Sequence, residues 1–436
     1  MPKTQTSQPL AESAPKIQFF CGFDWARHDH YFVLKTRSHR VLHEGYFQNS
    51  ASGFQEFFEC LEAHRNGETV ALIIESTRAS AAVLLGMKDW IRLHPVNPAV
   101  TRKLIELDGS GKGKNDARDS NLLCDYVIGN HENLRVEHEH DPDILCLREL
   151  VETEDELVAE RTRLKNRIKA QIAQICPDLA EMVCGKLDIK AYSEYLLRFD
   201  PREPVSDAKV KKHLKEHHVF GAKTLDNFLE KHRALQTLPL DGKLLAVHLE
   251  KLRSLVRQLQ LIQGELCSCQ SEIHAFFCAL PCAEIYRSMA GLGDCLAPRM
   301  AALFGKNPEK TFANKREVNA YFGQSPVTES SGGKAKDRKK AGEHEKKTVN
   351  RRRSCNRFAR QTTYLWSSSV ARLGDDHAPW QRAFLKRCKE RGDLRATRYR
   401  KLGQKLVAVL YTCLINNEPY SHDRYMNNIH TKPEIV

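Results

Sequence analysis

Between Ile17 and about Gly129, short runs of apolar residues give way to apolar residues at three- and four-residue steps, and then the order repeats. IQFFCGFDWA, HYFVLKTR and VLHEGYFQN predict three consecutive strands separated by turn residues. SASGFQEFFECLEAHR follows at helical spacing, with a serine at its cap. TVALIIEST is a continuous apolar run of the kind that forms a strand buried on both faces. AAVLLGMKDWI predicts a second helix, and HPVNPAV a short strand broken by its prolines. LDGSGKGKN reads as a basic, glycine-rich loop leading into the helix DARDSNLLCDYVIG.

The middle of the chain has another texture. ILCLRELVETEDELVAERTRLKNRIKAQIAQI and LLAVHLEKLRSLVRQLQLIQGELCSCQSEI repeat apolar residues between charges, which predicts two long amphipathic helices, a spacer or coiled-coil pair. The irregular piece between them reads as an insertion with its own small helical fold. From about Leu280, SMAGLGDCLAPRMAALFG has the form of a helix-hairpin-helix, in which Gly291 and Gly293 allow a tight turn whose amides can approach a phosphate. Helices around WQRAFLKRC and RYRKLGQKLVAVLYTCLI close the chain. The expected division is a disordered tail at 1–16, an α/β domain at 17–136, a helical middle at 137–279, a mainly helical domain at 280–422 and a polar tail at 423–436.

A length of 436 residues fits two or three domains, and a net charge of +13 changes the expectation about partners. Lysine and arginine in such excess point to a polyanion, nucleic acid first, because displaced counterions drive that binding. No run of about 20 apolar residues exists, so no membrane span is expected. The first sixteen residues lack an apolar signal core, and a cytosolic location follows as an expectation. The 14 cysteines are scattered and several lie in apolar helical runs, as Cys124 and Cys413 do, so they read as reduced thiols. Cys267, Cys269, Cys278 and Cys282, with His274 among them, lack the C-x-x-C spacing usual for zinc.

The candidate chemistry is acidic. Asp24 ends one predicted strand, Glu75 ends another, and Asp116 and Asp119 stand three apart on a predicted helix, where their side chains share a face. Each acid alone would read as a surface residue or a cap. Together, in this order, they follow the layout of a ribonuclease-H-like nuclease of the RuvC type, and four carboxylates suit Mg²⁺, with Mn²⁺ as an alternative. Lys112 and Lys114 sit in a glycine-rich loop that lacks the first glycine of a phosphate loop and ends in Asn115, so no nucleotide fuel is implied. They remain candidates for holding a phosphate, as do Arg351, Arg352 and Arg353. Ser331, in TESSGGK, is ringed by Lys334, Lys336 and Arg338. On sequence alone that segment reads first as a solvated linker and only second as a serine placed to meet a phosphate.

The combination of GFDWA, IIEST, KNDARD, AGLG and YFGQSPVTESSG resembles the DEDD-type insertion-sequence transposases, which include the Piv invertases and the bridge-RNA-guided recombinases. The likeness covers about 17–129 and 280–420. It implies an α/β RuvC-like domain with Asp24, Glu75, Asp116 and Asp119 as metal ligands, and a C-terminal transposase domain with Ser331 as nucleophile. It further implies donor and target DNA, a structured guide RNA, and dimers assembling into tetramers. Two features depart from the family: Ser76, Thr77 and Arg78 replace its Ala-Thr-Gly, and RRRSCNRF lacks its Lys-x-Gly step. The competing expectations are a RuvC-like nuclease or Holliday-junction resolvase that uses water, and a non-catalytic nucleic-acid binder.

Overall fold

In the computed structural model, residues 17–75, 80–109, 115–137, 141–200, 202, 205–330 and 347–430 are described. The chain forms two units, one made of 1–145 with 281–436 and the other of 146–280.

The first unit begins with a mixed sheet. Strands β1 (Phe19–Asp24), β2 (Asp29–Thr36) and β3 (Val41–Gln48) form an antiparallel meander, while β4 (Val70–Ile74) and β5 (Ile91–Pro95) add in parallel on the other side of β1. The order is β3-β2-β1-β4-β5. Because side chains alternate across a strand, β1 and β4 divide their apolar residues between two cores. Phe19, Cys21 and Phe23 join Val70, Leu72 and Ile74 on one face, against Phe54, Phe57 and Leu61 of helix α1 (Ala51–His64). Phe20, Ala71 and Ile73 face Leu123, Cys124 and Val127, which belong to a helix after β5. Ser50 caps α1, its hydroxyl accepting from the Gly53 amide at 3.1 Å.

Beyond β4 the elements depart from expectation. Helix α2 (Ser80–Gly86) stops before the predicted end, and Ile91 opens β5 instead of closing the helix. Pro98 starts helix α3 (Pro98–Asp108) rather than breaking a strand. The reason is local: proline needs no amide partner in a first turn, and Asn97 caps that turn by accepting from the Ala99 amide at 2.9 Å. Helix α4 (Asp116–Asn130) then lies across β1.

In the C-terminal part of this unit, short helices Ala283–Arg287 and Leu296–Phe304 flank the turn that holds Gly291 and Gly293. Gly291 has φ +80, and a Cβ there would meet Val370 Cγ2 at 2.7 Å, so the turn needs glycine on two counts. The buried Trp366 indole donates to the Ala290 carbonyl at 2.9 Å and pins the same turn. A hairpin of β6 (Val327–Ser330) and β7 (Lys347–Asn350), not expected from the sequence, precedes helices Arg357–Val370, Pro379–Glu390 and Arg395–Ile415. Arg135 joins the two parts: its guanidinium lies 4.4 Å from the Tyr321 ring and 5.7 Å from Phe312, with the Glu137 carboxylate at 3.3 Å.

The second unit is built on two long helices, α5 (Pro142–Ala173) and Gly242–Ala279. They run antiparallel: Gln270 Nε2 donates to Glu154 at 3.0 Å, and Gln171 pairs with His248 at 2.7 Å near the other end. The short helices between them do not make a separate fold. Leu179, Tyr192, Leu214 and Phe228 share one core with Ile168, Leu252 and Val256 of the long pair. Each short helix exposes too little apolar surface to fold alone, and the long pair supplies the rest. Among the described residues, no helix is long and apolar enough to cross a membrane.

Candidate active site

Two parallel strands and one helix bring four acids to the same end of the sheet. In the β1–β4 register Phe23 lies beside Ile74, so the next residues, Asp24 and Glu75, leave neighbouring strand ends. Helix α4 starts above that end. Its cap is Asn115, whose side chain accepts from the Arg118 amide at 3.1 Å, and Asp116 and Asp119 occupy its first turn, where the helix dipole favours negative charge.

The close approach of α4 to β1 depends on Gly22. A Cβ at this position would lie 2.0 Å from the Ser120 carbonyl oxygen and 2.6 Å from the Cys124 amide nitrogen. The absent side chain lets the helix rest on the strand backbone, and three bonds hold it there. Ser120 Oγ donates to the carbonyl of Tyr31, the residue opposite Asp24, at 3.2 Å, and Cys124 Sγ donates to the Phe20 carbonyl at 3.3 Å. Lys35, buried on β2, reaches Asp125 of α4 at 2.7 Å. Burial pushes the Cys124 thiol up to about 12, so it packs as a neutral group.

Asp119 is 8% exposed, and its Oδ1 accepts from the Arg118 guanidinium at 3.3 Å. Behind Asp24, Trp25 stacks on His30 with ring centroids 4.3 Å apart, and His30 Nδ1 accepts from the Ala26 amide at 3.2 Å, which fixes the turn after β1. Burial holds the His30 pKa below its ordinary value. The donor set, carboxylate oxygens only, suits a hard divalent cation in type. The side chains themselves are not drawn together: among the described residues, no three His, Cys, Asp or Glu groups are gathered closely enough to hold a metal. Mutual repulsion and the Arg118 contact both act against closure.

Other sequence candidates divide. Lys112, Lys114, Ser331, Lys334, Lys336 and Arg338 lie outside the described residues, as do Ser76, Thr77 and Arg78. Arg351 and Arg353 are exposed, whereas Arg352 donates through Nε to the Ser325 carbonyl at 3.2 Å and supports the base of the β6–β7 hairpin. Cys278 Sγ lies 3.3 Å from His274 Nε2, while Cys269 turns inward and donates to the Leu150 carbonyl at 3.4 Å. Sequence reasoning missed Gly22 and Arg118. A glycine inside a strand that buries both faces is a sign of close backbone approach and was the available signal for the first; a lone arginine on a polar helix face gives none for the second.

Residues 21–177 match the DEDD transposase family model for IS110, described as a transposase, and residues 283–381 match that of the transposase IS116/IS110/IS902 family. The chain belongs to the IS110 transposase family. The first match spans all four acids, and the second spans the glycine turn and both strands of the hairpin. Two similar proteins extend the likeness along the chain. The insertion element IS110 uncharacterized 43.6 kDa protein of Streptomyces coelicolor is 23% identical over 408 residues, 91% of this chain and 94% of that protein. The insertion element IS116 uncharacterized 44.8 kDa protein of Streptomyces clavuligerus is 24% identical over 304 residues, 67% of this chain and 71% of that protein. This IS110-family transposase is accordingly an enzyme that cuts and rejoins DNA.

Proposed function

We propose that this transposase cuts, exchanges and rejoins strands of donor and target DNA with Ser331 as nucleophile, assisted by Mg²⁺ or Mn²⁺ at Asp24, Glu75, Asp116 and Asp119. The observation that carries the proposal is the convergence of two parallel strand ends and the first turn of α4, with Gly22 permitting the contact. A cation held there would offset charge developing on the attacked phosphate. The serine gives up its proton as the Oγ–P bond forms and the bond from phosphorus to a deoxyribose oxygen breaks, that oxygen leaving as a hydroxyl. The reverse step, with the hydroxyl of another strand, restores the phosphodiester and frees the serine. One bond replaces another at each step, so no nucleotide fuel is needed, in keeping with a loop that fails the phosphate-loop pattern.

The charge of +13 supports holding more than one polyanion, and the family resemblance supports a structured bridge RNA that pairs with donor and target DNA while the protein holds backbone and shape. In the same reading, residues 17–136 form the metal-binding domain and 280–422 the transposase domain. Gly291 and Gly293 present amides to duplex phosphate, and the long helices of 137–279 bring subunits into dimers that pair as tetramers.

Trapping on nicked DNA tests the proposal. A covalent protein–DNA adduct should map to residue 331, with Ser331→Ala inactive and Ser330→Ala active. Cleavage without any adduct would make water the nucleophile and the protein a metal-dependent nuclease.

A further inference from the structure

A cavity of about 860 Å³ opens in the C-terminal part of the first unit. Arg351, Arg357, Arg360 and Arg400 line it, and no aspartate or glutamate is among the described residues of its wall. Arg400 donates through Nη1 to the Gln324 carbonyl at 2.7 Å, and Arg360 through Nη1 to Cys355 Sγ at 3.4 Å; neither partner carries a counter-charge. The carboxylate that acts on Arg400, Asp393, is engaged by Lys401 at 2.7 and 2.9 Å. Burial lowers the Arg400 pKa. Four like charges around one concavity repel one another, and a bound anion relieves that repulsion while satisfying guanidinium donors.

The wall also presents an aromatic face. Tyr364 is 43% exposed, with its ring 5.5 Å from that of Tyr399, which in turn carries the Arg395 guanidinium at 5.3 Å. An open tyrosine among arginines is the arrangement on which unpaired bases stack. The shape is fixed by two glycines. Gly323 has φ +65, and a Cβ there would strike Cys355 Sγ at 2.8 Å; a Cβ at Gly403 would meet Thr363 Cγ2 at 2.7 Å and Gln324 Oε1 at 3.0 Å. The helices Arg357–Val370 and Arg395–Ile415 therefore close directly behind the cavity.

We propose that this cavity binds one nucleotide of an unpaired DNA strand, its phosphate against the arginines and its base on Tyr364. The assignment to DNA rests on the strand-exchange reading above. Pro326 and Asn350 belong to the cavity wall, and they are the points from which β6 and β7 run toward residues 331–346. A paired base has its faces covered by its neighbours and cannot reach Tyr364, so duplex does not satisfy the site.

Fluorescence anisotropy with a labelled DNA strand of about 12 nucleotides tests this on the full chain, with duplex and an RNA strand of the same sequence beside it. Tyr364→Leu should weaken single-strand binding roughly tenfold, leave duplex binding unchanged and keep the salt dependence, while Tyr364→Phe should bind as wild type. Arg357→Gln, on an exposed helix position, should lower the slope of log affinity against log salt by about 0.7. Unchanged single-strand binding by Tyr364→Leu, or an equal loss on duplex, overturns the site. A Tyr364 effect confined to the RNA strand overturns the assignment to DNA. If the wild type forms no serine adduct yet shows the Tyr364 effect, strand exchange fails and the site stands; if it forms the adduct without that effect, the site fails and strand exchange stands.

Discussion

Replacing Gly22 by alanine tests the geometry on which the acidic site depends. The added Cβ would lie 2.0 Å from the Ser120 carbonyl oxygen, where ordinary contact begins at 3.4 Å, so β1 and α4 must part by about 1.4 Å. Neither neighbour is the free end of a flexible side chain; both near atoms belong to helix backbone. Parting by that distance carries the Ser120 and Cys124 hydrogen bonds, now 3.2 and 3.3 Å long, out of bonding range. Overpacking costs about 1–3 kcal/mol, and two lost hydrogen bonds about 0.5–1.5 kcal/mol each, giving roughly 2–6 kcal/mol. At about 2–4 °C per kcal/mol, the melting temperature should fall by roughly 4–24 °C. A shift above 1 Å in the two α4 carboxylates relative to Asp24 and Glu75 should lower strand cleavage by about 100-fold, even below the melting point. Calorimetry and a gel assay of cleavage measure the two effects. Gly129→Ala is the control, since nothing lies within 4 Å of a Cβ on this exposed residue of the same helix, and it should leave both readings within error or raise stability by up to about 1 kcal/mol. A Gly22→Ala protein that melts and cleaves as wild type would refute the close crossing and the site built on it.

Other outcomes follow from the same structure. Asp24→Ala and Asp119→Ala should each abolish cleavage while RNA binding persists, and wild-type cleavage should stop in excess chelator and return with Mg²⁺ or Mn²⁺; full activity in chelator would remove the metal from the mechanism. Above pH 6.5 His30 is neutral in both folded and unfolded chains. As pH falls from 6.5 toward its lower folded value, the unfolded chain takes the proton first and stability is lost. The melting temperature should thus drop as pH falls below 6.5, and His30→Phe should flatten that part of the profile; an unchanged slope in the variant would assign the loss to other groups. Protein purified from its host should carry RNA, and reprogramming the loops of that RNA should move the target, whereas efficient recombination after RNA removal would exclude guidance.

The sequence was informative where one segment's pattern is sufficient. Continuous apolar runs along Phe19–Asp24 and Val70–Ile74, and a capping serine before Phe54 and Phe57, define β1, β4 and α1 without outside help. It was misleading from Met87 to Val100, where the apolar pair Trp90 and Ile91 extends a helical pattern across a turn and Pro98 reads as a breaker when it is a first-turn residue. The β6–β7 hairpin was invisible because VTES and KTVN are short, polar and separated by the 16 residues 331–346, far longer than a tight hairpin loop. The amphipathic helices between the long pair announced a buried face but not its partner. At the site, the four acids could be placed on their elements from sequence. That Arg118 holds Asp119, and that Arg352 supports backbone while Arg351 lines a cavity, follows from tertiary positions that no spacing encodes.

The Arg135 clamp has a consequence for biosynthesis. Its β-sheet is fully translated by residue 137, yet the aromatic groups that receive the guanidinium, Phe312 and Tyr321, emerge only after the whole second unit has been made. At cellular elongation rates the wait is roughly 10–40 s. During it the nascent sheet carries an arginine with no ring to cover it, and the helical pair of 146–280 has time to fold first. A ribosome that stalls before Phe312 therefore releases a chain that carries Arg135 without the two rings that cover it in the finished protein.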